Sequence, residues 1–428
     1  MKLFSLSRKI QSNQFFKGME FMKQKLGNYA IITLVILNII VWFVFPPVND
    51  GRENFARAYA GEMLGSTVII LMACSLFLST RPKWAEPFFG GLDKMYMTHR
   101  RTSTSAFLLL FVHLLTVPIT TVNLRIGNYL AMIAFTGIVS IVLITLAPRI
   151  PFLNKLSGET YEGWKKLHRY IGIFFILGFI HALTINALDA LIAISWVQVF
   201  FIIGTLSYLY TELFGRFFKK FLPYTVEAVE HPNGATTEVT LRARKDPIKR
   251  QRAGQFLFVR FPGDKTLNES HPFTISGAPS EDVLRLTVKA SGDFTRTLFR
   301  NLGAGAEATV EGAYGLFDYK TGGPKQIWIA GGIGLTPFLA FIRDMDGNLG
   351  RDVDFYYTVR HRDEILFLDE IEEAAKKNPR LKVHDRFSAT EGSLTVEDII
   401  ENAGGDVRNH DIYPVSYTHL TLPTTPYV

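Results

Sequence analysis

Four histidines stand out by position. His99 and His113 lie in THRRTSTSAFLLLFVHLLTV, and His168 and His181 in KKLHRYIGIFFILGFIHALTI. Each pair is carried by one largely apolar run. An imidazole in a membrane span is costly to place and marks a function, such as holding a metal or carrying protons. A proton path also wants carboxylates, and these runs hold almost none, so metal ligation fits better. On an ideal helix the fourteen residues from His99 to His113 turn about 1400°, some 40° short of four turns, and rise about 21 Å. Those rings share a face. The thirteen from His168 to His181 rise about 19.5 Å but leave the rings roughly 140° apart. Gly172 and Gly178 lie between them. Either the run bends there or its rings point to different azimuths.

The elements that must position these rings are apolar runs at roughly 28–45, 63–79, 99–120, 128–147, 166–188 and 190–213. Several approach the ~20 residues of a helical span, and the second reads as short. Six spans are expected over residues 28–220. Lys and Arg crowd every second connection: Lys94, Arg100 and Arg101 before the third run, Lys165, Lys166 and Arg169 before the fifth, Arg216, Lys219 and Lys220 after the sixth. The alternate loops hold only Arg52, Arg57 and Arg125. The asymmetry predicts a multi-pass cell-membrane protein with both termini cytoplasmic. The +7 net charge sits beside these runs, which fits membrane orientation and not nucleic-acid binding. Residues 1–27 read as a basic amphipathic segment, either an interfacial helix or a loose tail. Cys74 is the only cysteine, which excludes disulfides and cysteine-ligated clusters.

The third and fifth runs point the same way. His99 therefore meets His168 near the inner face, and His113 meets His181 near the outer face. Two levels of two imidazoles suit axial ligation of two stacked b-type haems, about 20 Å apart by helix rise. Arg100, Arg101 and Arg169 flank the inner level, either facing haem propionates or simply anchoring the spans.

After Pro223 the pattern changes. TVEAVE, TEVTLRAR, GQFLFVRF and VLRLTVKA alternate apolar and polar residues, as short antiparallel strands of a barrel or sandwich do. From about Lys325 strands alternate with helices, which implies a parallel α/β sheet. Three segments carry chemistry. His271-Pro-Phe-Thr-Ile-Ser276 follows a strand. VKASGDFTRTLF holds Lys289, Ser291, Gly292 and Thr295 at a strand–turn–helix start, where N–H groups bind phosphate. Asp293 there reads as a helix cap. IAGGIGLTP places Gly331, Gly332, Gly334, Thr336 and Pro337 at a glycine-rich turn into a helix, which lets the backbone approach a pyrophosphate. Arg360, His361 and Arg362 end the next strand, and the two arginines suit an adenosine 2′-phosphate.

The hexapeptide HPFTIS resembles the RxY(S/T)-type flavin motif of ferredoxin–NADP reductases. That resemblance implies FAD contacts at His271, Pro272, Phe273, Thr274 and Ser276, with Phe273 against the isoalloxazine and Thr274 at its edge. It also implies a pyrophosphate near Lys289, Ser291, Gly292 and Thr295. EGAYG, Glu311 to Gly315, closes this domain as in the same family. With the six runs and the histidine pairs in this order, residues 28–413 resemble the NADPH oxidase/ferric reductase superfamily. The implied architecture is a six-helix transmembrane bundle (28–220) fused to a cytoplasmic reductase module, an antiparallel FAD barrel (221–322) and a parallel NAD(P)-binding α/β domain (323–413). The implied function moves electrons from NADPH, or NADH, through FAD and two haems to an acceptor outside. Short outer loops without histidine favour dioxygen, giving superoxide, over a ferric chelate. The lipid bilayer is the expected partner, and no obligatory protein partner is expected. A channel or carrier regulated by a nucleotide-binding module is the alternative of another class.

The Cys-Gly-Pro loop and terminal aromatic residue of that superfamily have no counterpart after RNHDIY. Residues 414–428, PVSYTHLTLPTTPYV, resemble a translated sequencing adapter and are expected to be read-through that leaves the nicotinamide lobe incomplete.

Overall fold

Runs of apolar residues become long helices here, and alternating runs become strands. The computed structural model describes residues 23–118, 124–147, 161–185, 187–215, 221–345 and 349–416. The expectation for residues 1–27 falls outside these but for its last five, as does that for the tail from residue 417. The chain divides into two units, Met1–Lys219 and Lys220–Val428.

The first unit is helical: α1 (Leu26–Val44), α2 (Phe55–Ser79), α3 (Leu92–Thr116), α4 (Ile126–Leu146), α5 (Tyr161–His168), α6 (Ile171–Thr184) and α7 (Leu191–Leu209), whose end passes into one wider turn at Tyr210–Phe214. Among the described residues, five helices are long and apolar enough to cross a membrane: α1, α2, α4, α5 joined to α6, and α7 with its wider turn. The remaining one, α3, has 25 residues, but its first half, LDKMYMTHRRTSTS, is polar. The expected count of six is therefore met by five on composition. The second run is not short. Its helix begins at Phe55, because Ala56, Ala58, Ala60 and Gly61 dilute the hydropathy without breaking the helix. Only 17% of the α1 span is buried, and Ile32, Ile36, Ile40 and Phe43 face outward. Such a surface suits lipid rather than water.

Small residues lie where α3 and α6 meet their antiparallel neighbours. α2 packs along α3 with Gly61 against Val117 and Gly65 against the His113 ring. α4 packs along α6 with Gly127 at Thr184 and Ile185, and Gly137 at Phe174. A GxxxG step such as Gly61–Gly65 lets two membrane helices approach closely.

The second unit holds two sheets. Strands β1 (Leu222–Asn233), β2 (Thr236–Ala243), β3 (Phe256–Arg260), β4 (His271–Thr274), β5 (Val283–Lys289) and β6 (Glu307–Tyr314) form an antiparallel sheet in the order β4-β3-β6-β1-β2-β5. A bridge from Ile275 to Leu286 links its two edges. Inward positions of the alternating pattern, among them Val226, Val239, Leu241, Leu257, Val259 and Leu286, make its core. Helix α8 (Asp293–Asn301) follows β5. The parallel sheet runs β10-β7-β8-β9, from β7 (Lys325–Gly331), β8 (Asp352–Val359), β9 (Leu381–Phe387) and β10 (Asp411–Ser416). α9 (Thr336–Arg343) and α10 (Leu368–Lys377) cover one face around Trp328, Phe338 and Phe355. α11 (Val396–Asn402) covers the other through Ile399 and Tyr356. β10 runs past Tyr413. Pro414, Val415 and Ser416 continue the strand beyond Tyr413, parallel to Ile329–Gly331, since a terminal edge position tolerates proline.

Candidate functional site

The histidines are positioned by backbone carbonyls. His99 sits two turns into the polar half of α3, and its Nδ1 lies 2.9 Å from the Ser75 carbonyl and 2.9 Å from Ser75 Oγ. His113 Nδ1 is 2.8 Å from the Gly61 carbonyl. His181 Nδ1 is 2.9 Å from the Gly127 carbonyl. A carbonyl only accepts, so each of these rings carries its proton on Nδ1 and turns an unprotonated Nε2 outward, the form that ligates a metal. Gly65 leaves room for this: a Cβ there would stand 3.1 Å from His113 Cε1.

Rings from different helices meet as expected. The His99 and His168 ring centres are 6.4 Å apart with planes at 74°. A metal held by ring nitrogens at about 2 Å on each side puts ring centres roughly 6 Å apart. The pair thus fits an iron between two imidazoles.

The His168–His181 run breaks neither at Gly172 nor at Gly178 but at Arg169–Tyr170, directly after His168. There the hydrogen bonds tighten, from Tyr170 N to the Leu167 carbonyl at 3.0 Å and from Ile173 N to the Tyr170 carbonyl at 3.0 Å. Gly172 serves packing instead, since a Cβ would enter the Tyr208 ring. Arg169 donates through Nε to Glu212 at 2.7 Å, so an ion pair holds it and it is not poised for a propionate. Arg100 and Arg101 are exposed.

In the second unit, β4 carries His271, Pro272, Phe273 and Thr274 on an edge next to β3. The His271 ring lies on Phe294, 3.8 Å between centres, and Phe273 is 6.2 Å from the same ring. Phe294, which the motifs alone do not single out, is therefore part of this aromatic shelf; its signal is an apolar residue in the first turn of the helix after SGD. Three expected contacts change. Ser276 is fully buried and takes a hydrogen bond from Thr287 at 2.9 Å, so its side chain braces the sheet and is not open to a ligand. Lys289 pairs with Glu364 at 3.2 Å, which spends the charge expected for a phosphate. Thr295 Oγ1 accepts from Ser291 N and Gly292 N, both at 2.9 Å, so the hydroxyl caps the N–H groups expected to face the pyrophosphate. Asp293 does not cap: its carboxylate is 3.5 Å from Arg296.

At the end of β7, Gly332 has φ +54°, and its side is open. Gly331 and Gly334 lie instead against Ser416 and Val415 of β10, so their missing side chains admit a strand. Thr336 and Pro337 are buried in the first turn of α9. Arg360 and Arg362 are exposed at the C-terminal end of β8, where parallel sheets bind ligands, with Arg362 5.9 Å above the Phe387 ring.

A buried ion network was not foreseen. Arg343, at the end of α9, donates to Glu238 of β2 at 2.8 Å and to Glu370 of α10 at 2.7 Å. Burial opposes its charge, but the two carboxylates prevail and hold its pKa above the ordinary arginine value. Single charges on three separate elements give no local sequence signal.

The FAD-binding domain family matches residues 216–320, and the oxidoreductase NAD-binding domain family matches residues 328–402. NADPH oxidase 3 of Rattus norvegicus is 31% identical over 150 residues, 31% of this chain and 25% of the relative. The superoxide-generating NADPH oxidase heavy chain of Dictyostelium discoideum is 25% identical over 303 residues, 64% of this chain and 55% of the relative. Dual oxidase 2 of Sus scrofa is 26% identical over 262 residues, 57% of this chain and 16% of the relative. The chain thus spans about half the length of the Dictyostelium relative and a quarter or less of the other two. It is an oxidoreductase with membrane-type helices, an FAD-binding domain and an NAD-binding domain.

Proposed function

We propose that the chain, as a member of the NADPH oxidase/ferric reductase superfamily, carries electrons from cytoplasmic NADPH across a membrane to dioxygen, giving superoxide outside. FAD at His271–Thr274 would take hydride as two electrons and release them singly, and haems at His99/His168 and His113/His181 would carry single electrons. The observation that carries this reading is the histidine geometry: rings from two helices 6.4 Å apart, and three of four rings fixed in the metal-ligating tautomer by carbonyls.

The chain's own residues then have definite tasks. The α9 first turn, entered through Gly332, offers N–H groups to a pyrophosphate. Arg360 and Arg362 offer charge to a 2′-phosphate, which favours NADPH over NADH. Phe273, His271 and Phe294 supply an apolar shelf for a flat ring. Carbonyls 61, 75 and 127 hold the His113, His99 and His181 rings with Nε2 free to ligate a haem iron, which would supply one-electron transfer. α3 is the sixth span in this reading, both termini are cytoplasmic, and α2–α3 and α4–α6 bring the two levels to opposite faces.

The test is anaerobic reduction of purified protein with NADPH, followed by air or ferric citrate. Haem bands should reduce with NADPH and reoxidise with air while superoxide appears. Reoxidation by ferric citrate without superoxide formation in air would replace dioxygen with a ferric chelate as acceptor. No haem absorption at all would favour a nucleotide-regulated channel or carrier.

A further inference from the structure

The reductase unit has two lobes, the antiparallel sheet with its flavin segment and the parallel sheet with its nucleotide turn. Helix α9 reaches from one to the other. It starts with Thr336 and Pro337, beside the glycine turn of β7, and ends at Arg343. Every residue of α9 except Arg343 is buried. Eight helical residues rise about 12 Å, and a helix packed that tightly moves as one rod.

The far end of the rod is fastened to the opposite lobe. Arg343 Nη1 donates to Glu238 of β2 at 2.8 Å and to the Ser276 carbonyl at 3.2 Å. Ser276 is the last residue of the flavin segment that starts at His271. Nε and Nη2 donate to Glu370 of α10 at 2.7 and 3.0 Å, and α10 belongs to the lobe of α9. The guanidinium thus turns one edge to its own lobe and one nitrogen across. A planar fork can serve both at once, which a lysine ammonium cannot. Apolar contacts continue the joint. Ala253, just before β3, lies in the core around α9, and a Cβ on Gly254 would stand 2.7 Å from Phe341 Cε1. Lys289 and Glu364 also pair across the lobes, but their side chains are 38% and 33% exposed. Those of Arg343 and Glu238 are 11% and 4% exposed, so theirs is the firm link.

We propose that Arg343 is a positioning residue for flavin reduction. Through α9 it fixes the nucleotide turn at Gly332–Pro337 to the end of the flavin segment, and so sets the reach from nicotinamide to flavin. The inference rests on the NADPH and FAD reading above. In that step a hydride, one proton with two electrons, leaves the nicotinamide ring and joins the flavin ring. The nucleotide is oxidised, the flavin is reduced, and nothing else is consumed. Misplacement by about 1 Å can slow such a transfer up to about a hundredfold. Affinity does not depend on the crossing, because His271–Thr274 lie in one lobe and Gly332, Arg360 and Arg362 in the other.

The experiment follows anaerobic bleaching of the flavin in the full-length, FAD-loaded protein by stopped flow, over a range of NADPH concentrations. Glu238→Gln weakens the crossing, and Arg343→Lys removes the fork while keeping the charge. Each should lower the limiting rate about tenfold and leave half-saturation and FAD affinity within about twofold. Glu370→Gln alters the same guanidinium on its own-lobe side and should leave the limiting rate unchanged. Amide hydrogen exchange without NADPH gives a readout free of turnover. Ile275 and Ser276, whose N–H groups donate to the Gln255 and Arg285 carbonyls, should exchange faster in Glu238→Gln and not in Glu370→Gln. An unchanged limiting rate in Glu238→Gln and Arg343→Lys, or an equal fall in Glu370→Gln, would overturn the inference and leave the functional reading standing. A parent protein that binds no FAD, or whose FAD is not bleached by NADPH, would overturn both.

Discussion

The helical unit and the reductase unit both seat polar groups away from water, by different means. In the helices, imidazoles and hydroxyls turn to the backbone or to one another: His113 to the Gly61 carbonyl, Asn38 to Ser66 and Thr67, Trp42 to Ser66. In the reductase unit, full charges answer full charges, with Arg343 between Glu238 and Glu370 and Arg285 reaching Glu281 at 2.6 Å. An apolar surrounding makes an isolated charge very costly, whereas a neutral ring needs only one acceptor. The helical unit should therefore be sensitive to side-chain size, and the reductase unit to unpaired charge.

The sharpest break of that contrast is His113→Ala. It should abolish acceptor reduction and halve haem content while flavin reduction by NADPH persists, as measured by haem absorbance and stopped-flow flavin bleaching. Next is Arg343→Met, which leaves the 4%-exposed Glu238 carboxylate only the more distant Arg285 at 3.7 Å and should cost about 3 kcal/mol in denaturant unfolding. Adding Glu238→Gln should return much of that loss, because the remaining group is neutral; no recovery would mean packing, not charge, holds that joint. Gly61→Val tests size. A Cβ there stands 2.5 Å from Val117 Cγ1, so overpacking of about 1–3 kcal/mol should loosen α2 from α3 and lower haem retention, with Gly61→Ala milder. Asn38→Leu should cost only about 0.6 kcal/mol in detergent unfolding, the modest worth of a membrane hydrogen bond.

The smallest effect is one of pH. Asp398 caps the Thr395 end of α11 and lies beside Arg386; the Thr395 N–H, then its hydroxyl, then Arg386 hold its pKa below the usual carboxylate value. A lowered folded pKa contributes stability above the ordinary value and loses it as pH falls through the lowered one. Asp398→Asn should lower the melting temperature slightly at neutral pH and converge with the parent at acid pH, which flattens the acid limb of the profile.

Much of the architecture was legible because periodicity survives in sequence: long apolar runs for α1, α4 and α7, alternation for β2, β3 and β5. That His99 lies beside His168 was legible too, through chain direction. The break after His168 was not, because glycine at 172 and 178 invited a hinge while the real cause is a phase demand met two residues earlier. Thr295 was misread since a hydroxyl can as well cap its own helix as face a ligand. Arg343, Glu238 and Glu370 come together only through tertiary folding. Gly61 and Gly65 carried no reading in the sequence, because the purpose of such a pair depends on which helix lies opposite.

The carbonyl rungs have a consequence for how this protein can vary. An acceptor on the main chain is encoded by no particular side chain, so positions 61, 75 and 127 are free in chemical type and limited only by bulk. A saturation library should return small residues of any polarity at Gly61 and Gly127, and at the buried Ser75 small residues with some preference for a hydroxyl, which also meets Ser103 Oγ at 2.6 Å. Support from backbone carbonyls can drift in sequence while its geometry stays fixed.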